Sequence, residues 1–205
     1  ALERPEGTSD ALATTLRIGE TRHTIAFADP LRPDAVQALA ALAAEGLPAS
    51  ILSGDRAAPV AAMAARLGLP AQGEASPQAK LAVLEALKAQ GRRPLMVGDG
   101  LNDGPALAAA HASIAPGTAS DASQQAADAV FIGDGLMPVA LAVRVARRTM
   151  RIVRENFGFS ILYNFLAVPL ALMGLVTPLV AAIAMSVSSL VVVANSLRLA
   201  RSANP

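Results

Sequence analysis

The chain contains no cysteine and no tryptophan, and only 3% of its residues are aromatic, including a single tyrosine, Tyr163. Without cysteine these residues can form neither a disulfide framework nor a thiolate metal site. Charge of either sign is in short supply, at 17 Lys+Arg against 16 Asp+Glu in 205 residues. A disordered or nucleic-acid-coating chain would be polar and strongly charged, so both classes are excluded. Charge is also absent locally: Asn156 to Leu197 is a run of 42 residues with no charged side chain. A helix that crosses a bilayer takes roughly 20 apolar residues, so this run predicts two spans and a tight turn. Ala1 is followed by neither a basic n-region nor an apolar h-region, and no initiator Met is present. No signal peptide is therefore expected, and the chain reads as processed or as a piece of something longer.

What is present divides at the same place. Hydrophobic residues make up 53% of the chain, yet the first 155 residues carry 31 of the 33 charges and read as a soluble domain with one core. Residues 1–143 hold 10 basic and 15 acidic side chains, net −5, and residues 144–205 hold 7 and 1, net +6. A basic tract with almost no aromatic interleaving, placed against an apolar run, predicts juxtamembrane anchoring rather than a nucleic-acid patch.

Along the soluble part, helical and strand patterns alternate. Two short strands, Leu16 to Ile18 and Thr24 to Phe27, flank a Gly19-Glu20 turn. Helices are predicted over Pro33 to Glu45, Pro59 to Leu67, Pro77 to Gln90 and Pro105 to His111, most opened by proline and closed by glycine. Strands are predicted at Ala49 to Leu52, Pro94 to Val97, Ser113 to Ala115 and Ala129 to Ile132. From Met137 a helix runs through the arginines toward the apolar run. Such alternation means a parallel sheet wrapped by helices, with chemistry at the carboxyl ends of its strands. Two strands end in Gly-Asp, which places Asp55 and Asp99 on that rim.

The densest constellation is Gly98-Asp99-Gly100-Leu101-Asn102-Asp103-Gly104-Pro105. Two carboxylates and a carboxamide within five residues are hard oxygen donors suited to Mg²⁺, and glycines admit a close backbone approach. The plain alternative is a strand-to-helix turn whose Asp103 caps the helix. Ser53-Gly54-Asp55 offers a hydroxyl and a backbone N–H to a phosphoryl oxygen, or else an aspartate that caps the next helix. Lys80 could balance phosphate and carboxylate charge in one pocket, although a lone helical lysine is ordinarily solvated. His111 reads as a helix-end or packed residue.

Ser53-Gly54-Asp55, Lys80 behind a proline, and Gly98-Asp99-Gly100-Leu101-Asn102-Asp103-Gly104-Pro105-Ala106-Leu107 together resemble the phosphorylation domain of the P-type ATPases. The usual family form has Thr at position 53 and Ala at position 104; serine keeps the hydroxyl and glycine the small volume. Asp29-Pro30-Leu31-Arg32 resembles the segment by which that chain re-enters the domain from its nucleotide-binding domain. The resemblance implies an α/β, haloacid-dehalogenase-like, Rossmann-like parallel-sheet domain, partial here, followed by a two-helix transmembrane hairpin. It implies these limits: residues 1–24, the end of the nucleotide-binding domain; 25–143, the phosphorylation domain; 144–155, a basic juxtamembrane helix; 156–198, two transmembrane helices; and 199–205, a cytoplasmic tail. By the same resemblance Asp99 is a Mg²⁺ ligand, with Asp103 a second, and Asn102 and Asp103 shape the phosphate site. Lys80 touches the phosphoryl group, Ser53 and Asp55 support hydrolysis of an aspartyl-phosphate, and Gly54, Gly98 and Gly100 line the site. ATP is the implied substrate. The nucleophilic Asp of an Asp-Lys-Thr-Gly-Thr segment is absent, so the chain is expected to be the C-terminal third of a longer pump, inactive alone.

The apolar run narrows the resemblance. Tyr163-Asn164 in the first expected span and Met185-Ser186-Val187-Ser188-Ser189 in the second are similar to the copper branch of the heavy-metal P-type ATPases, and thioether sulfur suits Cu(I). Tyr163, Asn164, Met185 and Ser189 are the implied ligands of a transported Cu⁺. Zinc-transporting relatives carry an aspartate in the last span, and none occurs here. The wording around Val176-Thr177-Pro178 and Ser188-Ser189-Leu190 resembles the bacterial subgroup that serves cytochrome-oxidase assembly. The resemblance further implies a bacterial inner-membrane protein with its α/β domain and C-terminus in the cytoplasm, membrane lipid and a copper chaperone as partners, and no nucleic acid. A membrane-anchored phosphatase of the haloacid-dehalogenase type, a pump for another transition metal, and a non-catalytic regulatory module are the competing readings. A plain anchor would need no Tyr-Asn pair inside the bilayer.

Overall fold

The computed structural model describes residues 2–3, 12–19, 21–27, 30–99 and 101–200. Two compact units divide the chain, Ala1–Val139 and Ala140–Pro205.

The first unit opens with an antiparallel sheet of β1 (Leu2–Glu3), β2 (Leu12–Ile18) and β3 (Thr21–Phe27), in the order β1-β2-β3. Ile18 lies opposite Thr21, so the connection is a two-residue hairpin loop, which favours positive φ. Gly19 supplies it at φ 61°. Both strands are longer than their sequence pattern indicated, because cross-strand pairing extends them into Leu12–Thr15 and Thr21–His23.

The rest of the unit alternates as expected: α1 (Ala35–Ala44), β4 (Ile51–Leu52), α2 (Ala57–Leu67), β5 (Ala71–Gln72), α3 (Pro77–Ala89), β6 (Leu95–Val97), a 3-10 turn at Leu101–Asp103, α4 (Gly104–Ala109), β7 (Ala112–Pro116), α5 (Asp121–Ala126) and β8 (Ala129–Phe131). Start and stop signals act as read. Ser76 caps α3 by accepting from the Ala79 N–H at 3.1 Å, with Pro77 at the first helical position. Gly68 closes α2 in the left-handed region at φ 65°, where a side chain is strained. All strand pairing in this part is parallel, but it falls into two pieces, β4-β5 and β6-β7-β8. Among the described residues no strand joins them: β4 is two residues long and pairs only with β5. Strand β7, buried along nearly its whole length, is the middle of its piece. Ile114 on it packs with Phe131 and Val139, flanked by Leu42, Leu95 and Leu136.

The second unit is two helices. Helix α6 (Met137–Leu172) begins in the first unit and continues for 36 residues, through Arg144, Arg147, Arg148, Arg151 and Arg154, into the apolar run. Gly174 at φ 73° turns the chain, and α7 (Pro178–Leu197) starts on a Thr177 cap. By length and composition α7 is the one described helix able to cross a membrane, with mean hydropathy 2.0. The charge-free part of α6 starts at Asn156 and ends at Leu172, and Asn156, Tyr163, Asn164 and Pro169 lower its apolarity. The C-terminal end of α7 is tied by side chains to the middle of α6. Asn195, buried, donates to the Asn156 carboxamide at 2.9 Å and to the Glu155 carboxylate at 3.2 Å. Arg198 donates to Asn195 at 2.8 Å, and Asn156 donates to the Ser196 hydroxyl at 3.0 Å. These polar groups satisfy one another where the apolar run ends, as buried polar groups must. None of them carries a local sequence signal.

Candidate functional site

Strand β6 ends at Val97 and hands the chain to Gly98 and Asp99. The 3-10 turn that follows brings Asp103 back over Gly98. A Cβ at position 98 would lie 3.0 Å from the Asp103 carboxylate and 3.2 Å from its Cβ, so glycine there makes room for the aspartate. Asp103 stands at the N-cap position of α4 but makes no capping hydrogen bond to that helix. Its carboxylate instead meets the Lys80 ammonium at 2.6 Å, and both side chains are buried, about 10% exposed. The plain capping reading of Asp103 thus fails, and so does the solvated-lysine reading of Lys80. A charge pair withdrawn this far from water is costly to build and is held only by close geometry.

Lys80 projects from the first two turns of α3, and the start of α3 is fastened to the other motif. The Ala75 N–H donates to the Ser53 carbonyl at 2.9 Å and the Glu74 N–H to the Asp55 carbonyl at 2.7 Å. The Ser53 hydroxyl donates to the Asp55 carboxylate at 3.0 Å and accepts from the Asp55 N–H at 3.2 Å. Gly73 permits this crossing, since a Cβ there would sit 2.8 Å from the Ala57 Cα. The three motifs spread over 50 residues of sequence are therefore linked through α3: Ser53-Gly54-Asp55 to Ala75, α3 to Lys80, Lys80 to Asp103. Asp55 is held by Ser53 rather than spent on capping α2, whose N-cap position belongs to Arg56.

Asp99 is exposed and makes no hydrogen bond or ion pair among the described residues. Asn102 is exposed as well. Gly100, like Asp29, lies outside the described residues. No group of three metal-binding side chains occurs among the described residues. The exposed Asp99 carboxylate at the end of β6 is a hard oxygen donor of the kind that suits Mg²⁺, which keeps several waters and takes one or two carboxylates plus substrate oxygens.

In the second unit the four expected Cu⁺ ligands do not converge within the pair of helices. Tyr163 is half-buried and, with Ser188, lines an apolar groove of about 530 Å³ between Phe159 and Val191. Asn164 turns back to the Ser160 carbonyl of its own helix at 2.9 Å. Met185 is 64% exposed and Ser189 is exposed. The inward face of α7 is instead Ala181, Ala184, Ser188, Val192 and Asn195.

A family model described as haloacid dehalogenase-like hydrolase matches residues 2–111, more than half of the chain. The chain belongs to the haloacid dehalogenase-like hydrolase family. Its relatives within that family are P-type ATPases, as the motifs implied. It is 53% identical over 174 residues to the nitrogen fixation protein FixI of Rhizobium leguminosarum bv. viciae, covering 84% of this chain and 23% of the relative. It is 44% identical over 182 residues to a copper-exporting P-type ATPase of Mycobacterium tuberculosis strain H37Rv, covering 88% and 24%. A crystal structure of a zinc-transporting PIB-type ATPase in the E2.Pi state matches with TM-score 0.81 at 32% identity, over 91% of this chain and 31% of that one. The chain thus spans about a quarter of the length of the curated relatives it matches.

Proposed function

We propose that this chain is the C-terminal part of an ATP-driven, Cu(I)-translocating P-type ATPase that works through an aspartyl-phosphate. The observation that carries the reading is the buried Lys80–Asp103 pair set against Gly98-Asp99 at the end of a parallel strand. The transferring phosphoryl group brings negative charge that must be met by fixed positive charge, and stabilisation of this kind is the main catalytic device in phosphoryl transfer. Lys80 is that fixed cation, and Asp103 holds it in one place. Asp99, with Asp103 beside it, would hold Mg²⁺, which when bound neutralises charge on the phosphoryl oxygens. Asn102 and the Gly98 and Gly100 backbone shape the phosphate site. In the hydrolytic half of the cycle Asp55, oriented by Ser53 and kept close by Gly54, takes a proton from the attacking water. The phosphorylated aspartate belongs to residues outside this chain.

The comparisons leave the cation open, since relatives named for copper and for zinc both match. Copper is favoured by Met185, a soft sulfur donor, and by the lack of any carboxylate from Asn156 to Leu197. Tyr163, Asn164, Met185 and Ser189 are the proposed ligands, completed by helices that this chain does not contain. The wording of α7 supports a role in supplying copper to oxidase assembly, with a copper chaperone as donor. A phosphatase with a simple anchor is the second reading.

Two experiments test this reading. Labelled ATP and an acid quench should give an acid-stable acyl-phosphate on the full-length protein and none on this chain alone; label on any aspartate of this chain would overturn the assignment of roles. The hairpin should have both ends in the cytoplasm of a bacterium, because five arginines precede it, Arg198 and Arg201 follow it, and its turn is uncharged, and arginines bias their flanks to the cytoplasm. A reporter fused after Pro205 should be active only in a cytoplasmic format, and a periplasmic signal would refute the hairpin.

A further inference from the structure

Asp34 occupies the N-cap position of α1, yet its side chain makes no hydrogen bond to that helix. Its carboxylate reaches a segment more than 100 residues later. One oxygen accepts from the Leu136 N–H and the other from the Met137 N–H, both at 2.8 Å. Met137 is the first residue of α6, so the aspartate closes the free amides at the start of a helix other than its own. Three further features belong to the same arrangement. Arg32, two residues earlier, donates to the Asp134 carbonyl at 2.9 Å. Gly135 leaves the carboxylate its space, because a Cβ there would overlap it. Val139, one turn into α6, is 2% exposed and packs on Ile114 and Phe131. The Leu136 and Met137 amides, with the Arg32 charge as a smaller contribution, hold the Asp34 carboxyl below its ordinary value.

We propose that Asp34, braced by Arg32 and admitted by Gly135, is the positioning residue that fixes the start of α6 to the α/β unit and so couples the phosphoryl site to the helix carrying Tyr163 and Asn164. The inference rests on the pump reading above. Its physical basis is the chemistry of the contact. A carboxylate with both oxygens engaged by consecutive amides cannot rotate, and a negative charge at a helix N-terminus is favoured by the helix dipole. The first turn of α6 then cannot fray or shift independently of residues 32–34. The contact joins the beginning of the α/β alternation to its end, and the Asp34 carboxylate touches no residue of the phosphoryl site. A defect there should therefore separate phosphoryl chemistry from cation-dependent turnover.

The test uses the full-length protein in four forms: wild type, Asp34→Ala, Asp34→Asn and Gly135→Ala. Two quantities are read, acyl-phosphate formed in reverse from inorganic phosphate and Mg²⁺, and copper-stimulated ATP hydrolysis. Asp34→Ala should keep the acyl-phosphate level of the wild type while copper-stimulated turnover falls by about tenfold or more, the scale of a misplaced supporting element. Gly135→Ala, which displaces the carboxylate without altering it, should show the same split. Asp34→Asn, which keeps one acceptor oxygen, should fall between. Wild-type copper stimulation in Asp34→Ala overturns the proposal, and so does an equal loss of both quantities, which would mark a role in folding alone. A wild type that forms no acyl-phosphate would overturn the pump reading and the coupling with it, an outcome distinct from either of those.

Discussion

Replacing Lys80 with alanine is expected to cost the α/β unit about 3–5 kcal/mol, the usual penalty for removing one partner of a buried pair. The Asp103 carboxylate would stay where it is, because it lies over Gly98 with its side chain about 11% exposed, and would lose the ammonium 2.6 Å away. For a chain of this size that loss corresponds to a fall in melting temperature of roughly 10 °C. Thermal unfolding of the chain in detergent micelles checks it. Lys80→Met should be nearly as damaging, since it keeps the volume and loses the charge. Lys80→Met combined with Asp103→Leu should recover much of the stability, because an apolar pair of similar size often replaces a buried ion pair at little cost. In the full-length protein none of these variants should form acyl-phosphate at an appreciable rate, for loss of a fixed charge at a phosphoryl site typically costs about 10²–10³ in rate. A Lys80→Ala protein that melts within ~1 kcal/mol of the wild type would show that the Lys80–Asp103 pair contributes little to the stability of the unit. Stability and catalysis would part in the double variant, which should fold well and remain inert.

Most of the α/β unit was legible because its signals are local. Pro77 and Ser76 open α3, Gly68 and Gly46 follow the ends of α2 and α1, and Gly98-Asp99 marks the end of β6, each within a residue or two of where the helix or strand changes. Two of the short elements were not legible. Strand β5 is two exposed residues, Ala71–Gln72, and α5 is six, Asp121–Ala126, too few for a period to register. The Lys80–Asp103 contact, separated by 23 residues, was readable only through the resemblance of its motifs; composition alone favoured a solvated lysine. Asp34 and Asn195 were missed altogether. Each acts on a backbone or side chain far along the chain, and nothing at positions 34 or 195 distinguishes a distant cap or clasp from an ordinary polar residue. The expectation that Tyr163, Asn164, Met185 and Ser189 face one another assumed that helical spacing decides which neighbours meet. Spacing places Met185 and Ser189 on one face of α7, but the less exposed side chains of α7 stand on the adjacent face, with Ala184 and Ser188 lining the apolar groove.

That outward face is the reason Met185 decides the copper assignment. On lipid, or against an apolar helix, a methionine is interchangeable with leucine at less than ~1.5 kcal/mol. As a Cu(I) ligand it is not, because leucine has no sulfur. Met185 lies 7 residues into α7 beyond Pro178, or about 10 Å at 1.5 Å per residue, so in a core about 30 Å thick its sulfur would be available to an ion crossing between helices. The measurement is copper-dependent acyl-phosphate formation from ATP in the full-length protein, wild type and Met185→Leu side by side, with membrane insertion and expression matched. The account predicts label on the wild type that requires Cu⁺, and a loss of about tenfold or more in Met185→Leu, as for removal of a metal ligand or its support. Label on the wild type that ignores Cu⁺, or Met185→Leu labelling like the wild type at every copper concentration, would contradict it.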